Sequence, residues 1–384
     1  MLVAPGIYSG ELNKWLTFRG KDLVLISEAG PTETVVEVWP PGSEEIAMFL
    51  QDGEARDAIV DGFTFRASLD EFGQGILLFC SATIRDCIFV DLVGGDLRGC
   101  VEASIRGTPL IENCVMSSPG QTGIWVDRGA GAEIRNCHIF RCSGGIYCSG
   151  GGLVMVRDCV IEGNEHLGIE LNTSHEVQVI NCLVTRNIGI GIGANYASVV
   201  GCTITANGGT EGTGGLYNAF ATRVENSIIY GNCGYPNTDI TAGGPLTLVC
   251  CAYPENGTGI FHSGSIHPVG PQVHQDPRFC DPWPCPEMWE HDPGGTYTLR
   301  SDSPCLAAFS PCQTLIGARD LECQAPEPVG ACCVQDTTCV LTTLTECDRQ
   351  HGMFKGDGVS CYPHGCAALP TEVTTWGRIK NRFR

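Results

Sequence analysis

The chain has 384 residues, with 50 Gly, 22 Pro, 24 Cys and a formal charge of −20. That charge argues against nucleic-acid binding, which needs clustered Lys and Arg against phosphate, and it disfavours acidic polysaccharides unless local Arg residues or bound cations offset it. Abundant Gly with few Lys suits a turn-rich β protein rather than a helical one, and so many Cys are unusual in a reducing cytosol.

The opening "MLVAPGIYSGELNKWLTFRG" begins directly with turn and strand material, so any export signal is expected to lie outside this sequence or to have been removed. No apolar run reaches the ~18 residues of a membrane span. From "VDGFTFRA" onward a short pattern recurs: "ATIRDCIFV", "PLIENCVM", "AEIRNCHIF", "VMVRDCVIEGN", "VQVINCLVTRN", "ASVVGCTITAN", "TRVENSIIYGN". It sets Gly62, Cys87, Cys114, Cys137, Cys159, Cys182, Cys202 and Ser227 in one frame with gaps of 20–27 residues. A period of about 23 residues indicates a solenoid. Apolar spacing of two, as in Ile124-x-Val126, is that of strands, and no helical stretch lies between them. The pattern predicts an all-β parallel β-helix.

The position before the thiol is Asp86, Asn113, Asn136, Asp158, Asn181, Gly201 or Asn226. Only residues tolerant of φ > 0 occur there, which marks a sharp left-handed corner between strands. Asn164, Asn187, Asn207 and Asn232, five residues past the Cys or Ser, mark a second turn. The Cys itself fits a small apolar site inside the corner. Coils stack about 4.8 Å apart, but parallel Cβ vectors make disulfide geometry poor. These six are therefore expected to be buried free thiols; a metal or redox role is the minor reading. Cys142 and Cys148 stand off the column and are expected to be able to pair with each other.

The Asn-Cys-x-Ile coils resemble the right-handed parallel β-helix repeat proteins of the pectin-lyase-like superfamily, of the secreted bacterial type. "VAPGIYSGELNKWLTFRGKDLVLISEAGPTETVV" is similar to their first coils, and "DPRF", "YTLRSDSPCLAA" and "IGA" to their closing coil. The resemblance covers residues 1–325 and implies fold and secretion. It implies no single activity, because the superfamily mixes lyases, hydrolases, epimerases and adhesins.

Each coil also carries a strand that begins after Gly: "GILLF", "GIWVD", "GIYCS", "GIELN", "GIGAN", "GLYNA", with "VEAS" at Val101 supplying one more. Alternation turns Leu77, Glu102, Trp125, Tyr147, Glu170, Gly193 and Tyr217 outward in one column. Phe79, Ser104, Asp127, Ser149, Asn172 and Asn195 form a second. Exposed aromatics flanked by acids and amides suit a polysaccharide or cell-surface glycan. The candidate binding residues are Trp125, Tyr147, Tyr217, Asp127, Asn172 and Asn195; plain stacking within the sheet is the competing reading. Glu102, Asp127 and Glu170 are the candidate catalytic residues for a polysaccharide lyase or glycoside hydrolase, Glu102 and Asp127 being about 8 Å apart by coil rise and strand spacing. No tight Asp-Asp pair is found within one coil. A purely structural rod is the third reading. No cofactor or metal is expected; calcium is compatible with such a face, but no residue pattern calls for it.

From about residue 233 the period is lost and Pro, Gly and Cys increase. Cys280, Cys285, Cys305, Cys312 and Cys323 are expected to staple an irregular end that covers the last coil. Residues 326–366 contain Cys332, Cys333, Cys339, Cys347, Cys361 and Cys366, read as a small module held by three disulfides of open connectivity, with zinc as the minor reading. It resembles a small Gly-Ala-Cys-Cys module appended to secreted bacterial proteins. The tail, 367–384, ends in the basic "TTWGRIKNRFR" and resembles a terminal sorting tag of exported bacterial proteins; a solvated disordered tail is the alternative. An extracellular or cell-surface location follows from these readings together.

Overall fold

The computed structural model describes residues 1–38, 46–67, 73–93, 98–208, 213–233, 239–255, 259–283, 295–324, 329–334, 338–357 and 361. The chain divides into two compact units, Met1–Cys323 and Gln324–Arg384.

The first unit is a solenoid whose central coils each contribute strands to three faces. In one coil, Thr122–Asp127 lies on the first face, Ala132–Arg135 on the second and His138–Phe140 on the third. Each pairs in parallel with its counterpart one coil on: Gly144–Gly150, Val154–Arg157 and Val160–Glu162. The third face is a 10-stranded sheet. The first two merge into one 20-stranded sheet because Ile169–Ile180 and Ile192–Val200 run through the corner between them. No described helix is long and apolar enough to cross a membrane.

The corner residues behave as their chemistry requires. Asp86, Asn113, Asn136, Asp158, Asn181, Gly201 and Asn226 all have φ between 47° and 63°. Gly62 stands at this corner too, φ 78°, one place before the frame assigned to it, so that Phe63 rather than Gly62 precedes Cys87 in the thiol column. Asn136 is exposed, which makes it a clean test of backbone conformation. Asn136→Ala is expected to cost about 1 kcal/mol and Asn136→Gly little or nothing, as read by urea unfolding, because a left-handed Cβ is strained by roughly 1–2 kcal/mol.

Inside the corner, Cys87, Cys114, Cys137, Cys159, Cys182 and Cys202 are buried free thiols. Each is hydrogen-bonded to the carbonyl two residues back, as Cys114 Sγ to Glu112 O at 3.2 Å. Burial holds Cys114 and Cys182 well above the usual thiol range, so they are inert hydrophobes. Cys142 and Cys148 are not paired; both are free and buried. The extended segment between them separates their Cα atoms by roughly 15–20 Å. Cys148 faces the core in register with Val126 and Leu171. Cys142 instead receives a bond from Ser118 N at 3.4 Å.

The second turn is an internal amide ladder. Asn164 Nδ2 donates to Asn187 Oδ1 at 2.7 Å, Asn187 Nδ2 to Asn207 Oδ1 at 2.8 Å and Asn207 Nδ2 to Asn232 Oδ1 at 3.0 Å. The ladder ends on a buried carboxylate, Asp239 Oδ1, which accepts from Asn232 Nδ2 at 2.9 Å and Asn232 N at 2.9 Å. The glycine that opens each following strand is explained here. A Cβ on Gly168, Gly191 or Gly215 would lie within 2.9 Å of the ladder's Nδ2 atoms.

The coils do not stop near residue 233. Strands Ile240–Ala242, Leu246–Val249, Ile260–His262 and Ile266–Val269 continue the first two faces. The corner column continues with Cys250 (φ 53°) and Gly270, and Cys251 extends the thiol column as a buried free thiol. Cys250 could not be read as a corner because Cys is not a φ > 0 residue; it is bonded to Cys312. Cys280 bonds Cys323, whereas Cys305 staples nothing and packs free with Ile228, Ala252 and Leu299. Cys285, Cys366 and the tail lie outside the described residues.

The second unit has a three-stranded antiparallel sheet with Val329–Val334 between Thr338–Thr343 and Met353–Asp357. A helix, Leu344–Arg349, starts where the Thr343 hydroxyl accepts from Glu346 N at 3.2 Å. Cys332 bonds Cys347 and Cys339 bonds Cys361, and Cys333 is disulfide-bonded as well. Sulfurs so engaged are not available as zinc thiolates.

Candidate functional site

Strand registers align Leu77, Glu102, Trp125, Tyr147, Glu170, Gly193 and Tyr217 on the first face. The column does not form one open stripe. In its upper half the Trp125 and Tyr147 rings stack on each other, centroids 3.8 Å apart and planes 20° apart. The Arg98 guanidinium lies 5.1 Å from the Trp125 ring centre. Coil rise is close to aromatic stacking distance, so neighbouring rings consume each other's faces. Both side chains are half-buried, and a pyranose needs a free ring face.

The nearby carboxylates are closed in as well. Glu102 is 7% exposed and Asp127 4%. Glu102 accepts from Arg98 N at 3.1 Å. Burial pushes its carboxyl above the usual range, and the charge of Asp127 adds to that rise. Asp127 accepts from the Ser104 hydroxyl and has Arg128 Nε at 3.7 Å. Alternation read from the sequence turned these groups outward correctly; it carried no information about what lies above them.

The lower half is open. Asn172 Nδ2 donates to Glu170 Oε1 at 2.6 Å, and Asn195 Nδ2 to Asn172 Oδ1 at 3.2 Å, forming a polar ladder on the surface. Gly193 leaves a gap between Glu170 and Tyr217, and Tyr217 is 38% exposed. Beside them, at the corner between the first and second faces, Tyr196 and Phe220 stack with centroids 5.2 Å apart and planes 11° apart. They are 40% and 50% exposed. The coil below supplies Gly244, where a Cβ would meet Phe220 Cα at 2.7 Å. Glycine is needed there for backbone approach, and it leaves no side chain to cover Phe220.

Tyr196 of this pair lines a groove of about 320 Å³ with Ser174, Thr222, Arg223, Pro245 and Thr247 among others. Thr222 is 4% exposed, and its hydroxyl oxygen is buried without a partner. Arg223 is held by Glu225 at 2.9 Å. Sequence reasoning missed Tyr196 and Phe220 because they sit at a corner, where strand alternation breaks. Their separation by one repeat was the available signal.

Residues 74–235 match the family model described as a right handed beta helix region. With the parallel three-faced coils, that match makes Met1–Cys323 a parallel β-solenoid of the right-handed β-helix kind. No curated protein matches it. Similar solved structures include the catalytic domain of a GH87 alpha-1,3-glucanase in complex with nigerose, at 11% identity and TM-score 0.44, covering 71% of this chain and 64% of that one. Another is the periplasmic alginate epimerase AlgG, at 11% identity and TM-score 0.30, covering 70% of this chain and 85% of that one. The chain thus spans less than two thirds of the glucanase domain. A likeness this distant concerns the coil and not the chemistry.

Proposed function

We propose that the protein is a secreted or cell-surface, non-catalytic β-helix that binds a glycan across the lower first face and its corner. The carrying observation is the exposed Tyr196–Phe220 stack, whose Tyr196 lines a groove together with Ser174, Arg223 and Thr247. An amphipathic ring wall with a few convergent polar groups is the usual composition of a ligand site. In this reading the sugar rings lie along Phe220, Tyr196 and Tyr217, while Asn172, Asn195 and Arg223 take hydroxyl hydrogen bonds. Binding of this kind needs no cofactor. The disulfides in both units support an oxidising compartment.

Affinity electrophoresis and calorimetry against a panel of neutral polysaccharides test this. Phe220→Ala and Tyr196→Ala are each expected to weaken binding at least ~10-fold, as loss of a central aromatic anchor does, while Trp125→Ala leaves it nearly unchanged. Binding that depends on Trp125 and ignores Phe220 would move the site to the upper half; no binding to any glycan would favour a structural rod.

One observation favours the enzymatic alternative. Glu102, raised by burial, stands beside Asp127, and two carboxylates in unlike environments can divide acid and base roles. Release of reducing ends or of unsaturated products, lost in Asp127→Asn or Glu170→Gln, would establish it. Against it, both Glu102 and Asp127 are almost wholly buried and internally bonded.

A further inference from the structure

A second cavity lies on the third face, remote from the corner groove. The segment that follows the last coils returns over this face. There Tyr297, 1% exposed, packs with Leu183 and Ala206, and the Phe279 ring meets the Tyr297 ring edge-on at 5.5 Å. Between segment and sheet is a pocket of about 350 Å³, within the usual range for small-ligand sites. Tyr230 and Thr205 of the solenoid line one side; Asp276, Arg278, Trp283 and Arg300 of the returning segment line the other.

The polar groups here are arranged unlike those on the rest of the surface. Asp302 Oδ2 accepts from Arg278 Nη1 at 2.9 Å and from Arg300 Nη2 at 2.9 Å, so one carboxylate oxygen holds two guanidinium forks side by side. Arg300 Nε is buried without a partner. The Trp283 ring, 40% exposed, is fixed from beneath by the buried Arg186 guanidinium, 4.8 Å from the ring centre. Asp276 is engaged by Arg278 N at 2.7 Å. Arg278, Arg300, Asp276 and Asp302 sum to no net charge on a chain of −20. An anion therefore meets less repulsion here than over the protein at large, and it meets two planar forks suited to a carboxylate.

We propose that this pocket binds a single acidic sugar residue, its carboxylate on Arg278 and Arg300 and its ring against Trp283. The site is independent of the corner groove and stands whether or not that groove takes glycan. It supplies the local Arg residues without which the overall charge would exclude an acidic saccharide.

The test uses the full chain and three probes: D-glucuronate, its methyl ester and D-glucose, titrated by calorimetry at low and high salt. Glucuronate is expected to bind at about millimolar strength and more weakly as salt rises. The ester and glucose, which offer the same ring without the charge, are expected to bind roughly 10- to 100-fold more weakly, as loss of a charged hydrogen bond implies. Arg278→Gln should reproduce that loss for glucuronate, and the probe comparison on the unaltered protein stands even if that variant folds poorly. Equal binding of acid and ester, no binding of glucuronate, or glucuronate binding unchanged in Arg278→Gln overturns the proposal.

Discussion

Replacing Asn187 by Leu is expected to remove roughly 3–5 kcal/mol of stability, a large share of the ~5–15 kcal/mol typical of a folded domain. The side chain is wholly buried, and Leu has the same branching but bulkier methyl ends, so the cost is lost polar pairing with some overpacking rather than a cavity. Asn187 Oδ1 accepts from Asn164 N at 3.2 Å and from Asn164 Nδ2 at 2.7 Å. Its Nδ2 donates to Asn207 Oδ1, to Ile161 O at 3.1 Å and to Thr185 O at 3.2 Å. Leu leaves the Asn164 backbone N–H with no acceptor in a dry core, and it cuts the ladder in mid-run. Each buried group so stranded costs about 1–3 kcal/mol. Because each coil contacts only its neighbours, solenoid stability is close to a sum of nearest-neighbour terms. The break should therefore show as early unfolding of the coils around it, read by urea denaturation with hydrogen exchange. A loss below ~1 kcal/mol would mean that the ladder merely fills space.

The second large effect is tied to pH. Asp239 closes the ladder with an acid where the coils above use an amide, and burial pushes its carboxyl up to about 6, against the bonds from Asn232, which act to lower it. The native state therefore holds this proton more tightly than the unfolded chain, whose value is 3.8. Stability from this group is fully present below about pH 4 and is lost as pH rises through about 6. The total is roughly 3 kcal/mol, about 1.4 kcal/mol per pK unit. Asp239→Asn should remove that slope and be more stable than the native chain at pH 7. The measurement is the unfolding midpoint from pH 4 to 8 for both proteins. Parallel curves would show that the carboxylate reaches water or a cation.

Some of this was legible in the residues. The corners before the thiol column were, because Asn, Asp and Gly tolerate φ > 0 best and the repeat admits little else there. Cys250 escaped that test for the same reason: at its corner, a disulfide to Cys312 accompanies a residue that φ > 0 does not favour. The internal Asn turn was legible as a position, though its ladder and the glycines that make room for it were not. The corner pair Tyr196 and Phe220 fell outside the alternation that located Trp125 and Tyr147.

The sequence by itself determined the coil, its period, its corners and the free thiols within it, since each depends on local backbone preference and on repetition along one chain. Only the tertiary structure decided which outward residues meet solvent. Trp125 and Tyr147 close on each other with Arg98 above them, Phe220 is left open because Gly244 lies beneath it, and Arg278 and Arg300 meet across Asp302 on a returning segment. Exposure is set by what the adjacent coil or a distant segment places over a side chain, and no periodicity in the chain encodes that.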